Sequence, residues 1–209
     1  MRWMRGTEVI DGTFRHALPI APDGDRFYAL LFGVRTYVLV ARSTADGSEL
    51  WRVQLTSSSR GQTNMLAGAP VRTQGGLVVA YLNAGDVPEG GALMAFRRDG
   101  SPVWRVAARA SQQQFFDHAT HIAASDGTVY LAVGSQLLAV REGDGQDRWR
   151  VTLPGAANTA APMLSPTGDL ALHSDDNRLL VYVTDSHELA TSGWPGALGG
   201  RERRNVANP

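Results

Sequence analysis

Asp46-Gly47-Ser48-Glu49-Leu50-Trp51-Arg52-Val53 decides how this chain folds, because its pattern occurs three times. The second copy is Asp99-Gly100-Ser101-Pro102-Val103-Trp104-Arg105-Val106, and the third is Asp144-Gly145-Gln146-Asp147-Arg148-Trp149-Arg150-Val151. In every copy the glycine lies four residues before the tryptophan. All five tryptophans, Trp3, Trp51, Trp104, Trp149 and Trp194, follow one grid, with steps of 48, 53, 45 and 45 residues. A period of about 40–50 residues marks a repeat architecture. Asp-Gly suits a tight hairpin, since glycine adopts positive φ without a steric penalty and aspartate tolerates it.

Working outward, each unit repeats the same order of apolar runs and turns. A first apolar run occupies Ala17–Ile20, Ala69–Val71, His121–Ala124 and Ala161–Leu164, with a proline in all but the third. A glycine turn leads into a β-rich run: Phe27–Phe32, Leu77–Leu82, Thr128–Val133 and Asp169–His173. A third run follows at Tyr37–Ala41, Leu93–Phe96, Leu137–Val140 and Leu179–Tyr182, and the Asp-Gly turn and tryptophan strand close the unit. No stretch has a convincing helical period; Ala107–Phe116 comes nearest and reads better as a long loop. Four short strands per unit predict an all-β protein, a β-propeller of four-stranded antiparallel blades. A β-sandwich would need no such long-period tryptophan grid. The expected blades cover residues 14–55, 56–108, 109–152 and 153–194. Residues 1–13 read as the last strand of a preceding blade or an N-terminal extension, and 195–209 as a C-terminal tail. Trp51, Trp104 and Trp149, with Gly47, Gly100 and Gly145, are read as structural repeat positions that pack neighbouring sheets. Arg52, Arg105 and Arg150 are expected to face outward or to pair with the next blade. The fourth unit departs from the pattern, with Asp185-Ser186 in place of Asp-Gly.

The 209 residues include 20 Lys+Arg against 20 Asp+Glu, so no electrostatic footprint for nucleic acid appears. Arg201, Arg203 and Arg204 form a basic cluster that reads as a solvated tail. With no cysteine, disulfides, thiol catalysis and Cys-ligated metals are excluded. No run of 18 apolar residues predicts a membrane span, and charges interrupt the first twenty residues, so no signal peptide is expected there.

The runs Leu93-Met94-Ala95-Phe96…Gly100…Trp104, Leu137-Leu138-Ala139-Val140…Gly145…Trp149 and Tyr37-Val38-Leu39-Val40-Ala41…Gly47…Trp51 resemble the PQQ-like repeat of the quinoprotein-like β-propellers. Asp126-Gly127-Thr128-Val129-Tyr130-Leu131-Ala132 resembles that family's second strand, and Ser192-Gly193-Trp194-Pro195…Arg204-Asn205 is similar to the ending of some bacterial members. Two other propeller repeats fit less well: sialidase-type Asp boxes place Trp three residues after Gly, and WD40 repeats end in Trp-Asp, where this chain has Trp-Arg. The resemblance implies rings of about six to eight blades, so four units are expected to be part of a larger propeller or a half-ring, in preference to a closed four-blade ring. A homodimer completing the ring is one possible partner arrangement. The resemblance also implies, for the catalytic members, a quinone and a calcium ion. Their acidic and amide ligands cannot be placed here, so the non-catalytic branch is expected, with no cofactor. An exported, periplasmic or cell-envelope location in a bacterium is what the resemblance favours.

Few residues suggest chemistry. His118 and His121 are three apart and would face opposite sides of a strand. The run Glu142–Asp147 superficially resembles a calcium loop but lacks the bidentate Glu. Long connections are the better candidates, because loops of this length in a compact repeat fold are usually functional or disordered. Thr56–Gly68 carries Arg60 and Asn64, and Ala107–Ala119 carries Gln114, Phe115 and Phe116, whose two adjacent rings either tuck between blades, the favoured reading, or present an apolar contact. The expected function is a non-catalytic scaffold or binding module that engages a protein or peptide through one face of the disc. The alternative is a propeller that binds a small cofactor in its channel.

Overall fold

The computed structural model describes residues 16–17, 21–32, 36–57, 66–83, 91–108, 120–155, 162–174 and 176–190. Every regular element among them is a β-strand, and all strand pairs are antiparallel. The first blade contains β1 (His16–Ala17), β2 (Ala21–Asp23), β3 (Arg26–Phe32), β4 (Thr36–Ser43) and β5 (Glu49–Ser57). β1 and β2 both pair with β3 along the same edge, so together they act as one interrupted inner strand. The second blade contains β6 (Leu66–Arg72), β7 (Val78–Asn83), β8 (Ala92–Phe96) and β9 (Pro102–Ala107). The third contains β10 (Thr120–Ala123), β11 (Thr128–Val133), β12 (Gln136–Arg141) and β13 (Asp147–Thr152). The fourth contains β14 (Met163–Leu164), β15 (Asp169–His173) and β16 (Leu179–Val183). Within each sheet the strands run in chain order from inner to outer.

The central strands of the first three blades are near-continuous apolar runs because both faces of those blades are covered. Alternate residues of one blade join two different cores. Tyr28, Leu30, Leu39 and Ala41 of the first blade pack with Val78, Leu82, Met94 and Phe96 of the second. Val79, Tyr81, Leu93 and Ala95 face the other way and join Val129, Leu131, Leu138 and Val140 of the third. Tyr130, Ala132, Leu137 and Ala139 then meet Leu164, Leu170 and Leu172 of the fourth. This period-two division stacks the sheets face to face as blades of an open β-propeller.

Each repeated tryptophan sits at one fixed register. Trp51 pairs with Ala41, Trp104 with Ala95 and Trp149 with Ala139. A small residue opposite the indole leaves it room. A bulge follows in all three pairs, between Ala41 and Arg42, Ala95 and Phe96, and Ala139 and Val140. The Trp51 Nε1–H donates to the Arg98 carbonyl at 2.8 Å, and the Trp104 Nε1–H to the Glu142 carbonyl at 2.5 Å. Both carbonyls belong to the Asp-Gly turn of the next blade. A Cβ on Gly100 would lie 2.9 Å from the Trp51 ring, and one on Gly145 would lie 2.8 Å from the Trp104 ring. Both glycines have positive φ, +87° and +70°. Glycine is therefore required twice over at these positions, by the backbone and by the neighbouring indole.

The aspartate of the turn has a different job from the one expected. Among the described residues the only non-glycine with positive φ is Asn177, so Asp46, Asp99 and Asp144 do not adopt it. Instead their carboxylates accept the backbone N–H two residues on, from Ser48 at 3.0 Å, Ser101 at 2.9 Å and Gln146 at 3.0 Å. The turns are longer than a two-residue hairpin, because Ser43 N–H reaches Ser48 O and Arg141 N–H reaches Gln146 O. Arg52 and Arg150, two of the arginines after the tryptophans, bond within their own strand or backward. Arg52 pairs with Glu49, and Arg150 pairs with Asp147 and donates to Ala107 O of the preceding blade at 3.3 Å.

Among the described residues the four blades form a partial ring. Closure would bury the side of blade 4 that faces away from blade 3, where Met163, Leu179, Val181 and Val183 are exposed. A ring completed by a second copy has no support either. On the side of blade 1 away from blade 2, Ala29, Leu31, Val38 and Val40 are already buried.

The seat of the indole can be weighed by substitution. Gly145→Ala should destabilise the protein by about 3 kcal/mol in urea unfolding, from left-handed strain plus overlap with the ring. In a Trp104→Ala background the same change should cost only about 1 kcal/mol, since the overlap is gone. Gly24→Ala is the control: its φ is +61° but its Cβ would meet nothing within 4 Å, so about 1 kcal/mol is expected. Equal losses in all three would mean that the indole contact contributes nothing.

Candidate functional site

The buried polar groups collect at the joints between blades. At each joint the turn after the inner strand of one blade meets the third turn of the next. At the first joint the Asp23 carboxylate accepts from the Tyr28 hydroxyl at 2.8 Å, from Arg72 and from Arg98 Nε at 3.4 Å. Arg98 also reaches Asp25 at 2.5 Å. Burial pushes the Tyr28 phenol up, with the Asp23 bond adding to it. At the second joint Thr73 donates its hydroxyl proton to the buried Glu142 carboxylate. A Cβ on Gly75 would overlap that carboxylate, so glycine there lets it in. At the third joint Ser186 bonds Asp126 at 2.9 Å and the Tyr130 hydroxyl at 2.6 Å. The chain beyond β16 then pairs backward, with Ser125 N–H to Glu188 O and Ala190 N–H to Ala123 O, both 2.8 Å. An antiparallel bridge joins Ala124 to Leu189. The departure of Asp185-Ser186 from Asp-Gly thus has a use: serine supplies the hydroxyl of this joint.

These bonds account for the residues that had suggested metal chemistry. Within Glu142–Asp147 the carboxylates point to separate partners: Glu142 to Thr73, Asp144 to Gln146 N–H and Arg141, and Asp147 to Arg150. No group of three His, Asp or Glu side chains able to hold a metal occurs among the described residues.

The long connections leave from the opposite edge of the sheets, where β5 ends at Ser57 and β9 at Ala107. Arg60, Asn64, Gln114, Phe115, Phe116, His118, Trp3 and Trp194 lie outside the described residues. At the described rim of that edge, Tyr81 donates to Ala108 O at 2.8 Å, and Ala108 N–H donates to Gly91 O at 2.9 Å. Sequence reading missed the joint residues Asp23, Arg72, Arg98, Thr73, Asp126 and Ser186. Their partners lie 49 to 75 positions away, about one repeat or more, and a search for polar residues at that offset could have found them.

Residues 7–194 match the family model described as outer membrane protein assembly factor BamB. No curated protein sequence matches the chain. Among solved structures it is similar to BamB from Moraxella catarrhalis, with 17% identity and a TM-score of 0.55 over 85% of this chain and 49% of that one. It is similar to a europium-containing methanol dehydrogenase, with 13% identity and a TM-score of 0.59 over 84% of this chain and 41% of that one. The WD40 domain of Pan2 from Neurospora crassa shares 9% identity and a TM-score of 0.53, over 86% of this chain and 49% of that one. The chain spans about half the length of these structures or less. At such identities the likeness shows the propeller fold alone.

One joint residue gives a direct readout. His121 is fully buried between the second and third blades, and its Nε2 lies 3.0 Å from the Val79 carbonyl while Nδ1 has no partner. Burial lowers its pKa to about 4, against a small opposing effect of the Val79 bond. The folded state thus holds a neutral ring where the unfolded chain, near pKa 6.5, takes up a proton. Above pH 6.5 this costs nothing; as pH falls from 6.5 towards 4 the penalty grows to about 3 kcal/mol and is constant below. Urea midpoints should fall over that window, and His121→Gln should flatten the fall between pH 6.5 and 5. An unchanged slope would place the titration elsewhere.

Proposed function

This chain belongs to the family described as outer membrane protein assembly factor BamB, and from that membership we propose that it is a non-catalytic propeller scaffold that engages a protein or peptide partner. Family membership is the observation that carries this reading. The joint chemistry supports it: Asp23, Glu142 and Asp126 hold blades together, so these carboxylates serve assembly. The proposed contact is the face of the disc from which the long connections leave. Phe115 and Phe116 would supply its apolar anchor, with Gln114, Arg60 and Asn64 as polar contacts around it, an arrangement in which a few aromatic residues carry most of the affinity. A bacterial cell-envelope setting goes with this reading.

Immobilised chain offered a bacterial envelope extract should retain a defined protein. On this reading the two side chains form a contact, so the Phe115→Ser, Phe116→Ser double variant should lose the partner while its thermal midpoint stays within a few degrees; a large fall would mean that they are tucked between blades. Retention by both would remove that face from the proposal. Retention by neither would remove protein binding.

A further inference from the structure

The interface between the second and third blades carries an imidazole in its apolar interior. Val71, Val79, Leu93, Val129, Leu131 and Leu138 fill that interior. His121 of β10, 1% exposed, reaches across it, and its Nε2 donates to the Val79 carbonyl of β7 at 3.0 Å. This bond therefore runs from blade to blade. Nδ1 has no partner. A neutral ring suits the arrangement, with its proton on Nε2 and a lone pair on Nδ1. A second proton would create a buried N–H without an acceptor and a charge in an apolar site.

The charged and titratable groups of the surrounding strands are engaged elsewhere. Arg72 of β6 turns to Asp23 at the first joint. Tyr81 of β7 donates its hydroxyl proton to Ala108 O. Tyr130 of β11 faces the fourth blade, and Arg141 of β12 pairs with Asp144 at the surface. Glu142, at the rim of the same joint, accepts from Thr73. Burial and the Val79 bond are the influences that set the proton affinity of His121.

The neighbouring joints are built from other parts. At the first, Asp23 meets Arg72 and Arg98, and the Arg26 guanidinium holds the Asp25 carboxyl below its usual range. The third is closed by the Ser186 hydroxyl and by main-chain bonds of Glu188 and Ala190. His173 and His187 belong to the fourth blade and lie outside the second joint. We infer that the second joint is an acid-operated parting line: a proton on His121 opens blades 1 and 2 from blades 3 and 4, while each pair stays stacked. Protonation thus acts first on one interface, and the opening is a local event that precedes loss of the whole fold. The inference is independent of the partner proposed for the disc.

Two indole N–H groups read the joints separately, Trp51 across the first to Arg98 O and Trp104 across the second to Glu142 O. Their hydrogen exchange can be followed by NMR and corrected for the intrinsic effect of pH. Between pH 7.5 and 5 the Trp104 indole should lose about 30-fold in protection, since the ring has a pKa of about 4 when buried and 6.5 when free. Protection of Trp51 should stay level. His121→Gln keeps an N–H for the Val79 carbonyl and takes up no proton, so in that variant Trp104 should stay level too. Equal losses at both indoles would mean that the blades come apart together. A level Trp104 in the wild-type chain would mean that the joint does not open. An undiminished loss in His121→Gln would assign the proton to another group, such as Glu142. Each of these results overturns the inference. If His121→Gln does not fold, the two indoles of the wild-type chain decide.

Discussion

The indole of one blade resting on the glycine of the next is the constraint from which the rest of this structure follows. Trp51 lies on Gly100 and Trp104 on Gly145, and each indole N–H is bonded to a carbonyl of the turn it covers. The alanines opposite the tryptophans, the bulge that follows them and the positive φ of the glycines all serve this seat. An outer strand is otherwise half-exposed, and a single blade has no means of covering it. Burying an indole is worth a few kcal/mol, but only when the next blade is present. Stability in this chain therefore belongs to pairs of blades, as in other repeat arrays.

Much of this was legible in the sequence, because it rests on local spacing. Glycine four residues before tryptophan, and apolar runs bounded by glycine turns, are enough to place strands and to stack sheets. Less legible was what depends on pairing across repeats. Asp99 is visible as a turn residue, but that its carboxylate caps Ser101 N–H rather than accommodating positive φ emerges only from the backbone geometry. Asp23 gives no hint in sequence of its arginines, which lie on another blade. The exchange of glycine for Ser186 reads as a lapse in the repeat, whereas in three dimensions its hydroxyl holds Asp126. For the candidate site itself, Phe115 and Phe116 remain a reading of loop length and aromatic content, outside the described residues.

The fold by itself is silent about activity. The chain resembles, at similar TM-scores, structures named as an assembly factor and as a methanol dehydrogenase. A propeller is a frame whose strands hold the disc together, and what it does is decided by the groups on its rims and edges. In this chain the described carboxylates at the joints are bonded to the neighbouring blade.

The joints themselves are chemically unlike. One is a carboxylate gripped by two guanidinium groups, the next a hydroxyl on a carboxylate, the third a carboxylate on a hydroxyl. The apolar seats are nearly interchangeable from blade to blade, but these polar contacts are not. A stack that skipped the second blade would set Asp23 against Glu142, two carboxylates in a site that excludes water, which is strongly unfavourable. The repeat thus carries an address at every junction, and it disfavours the mis-ordered assemblies that near-identical modules would otherwise permit.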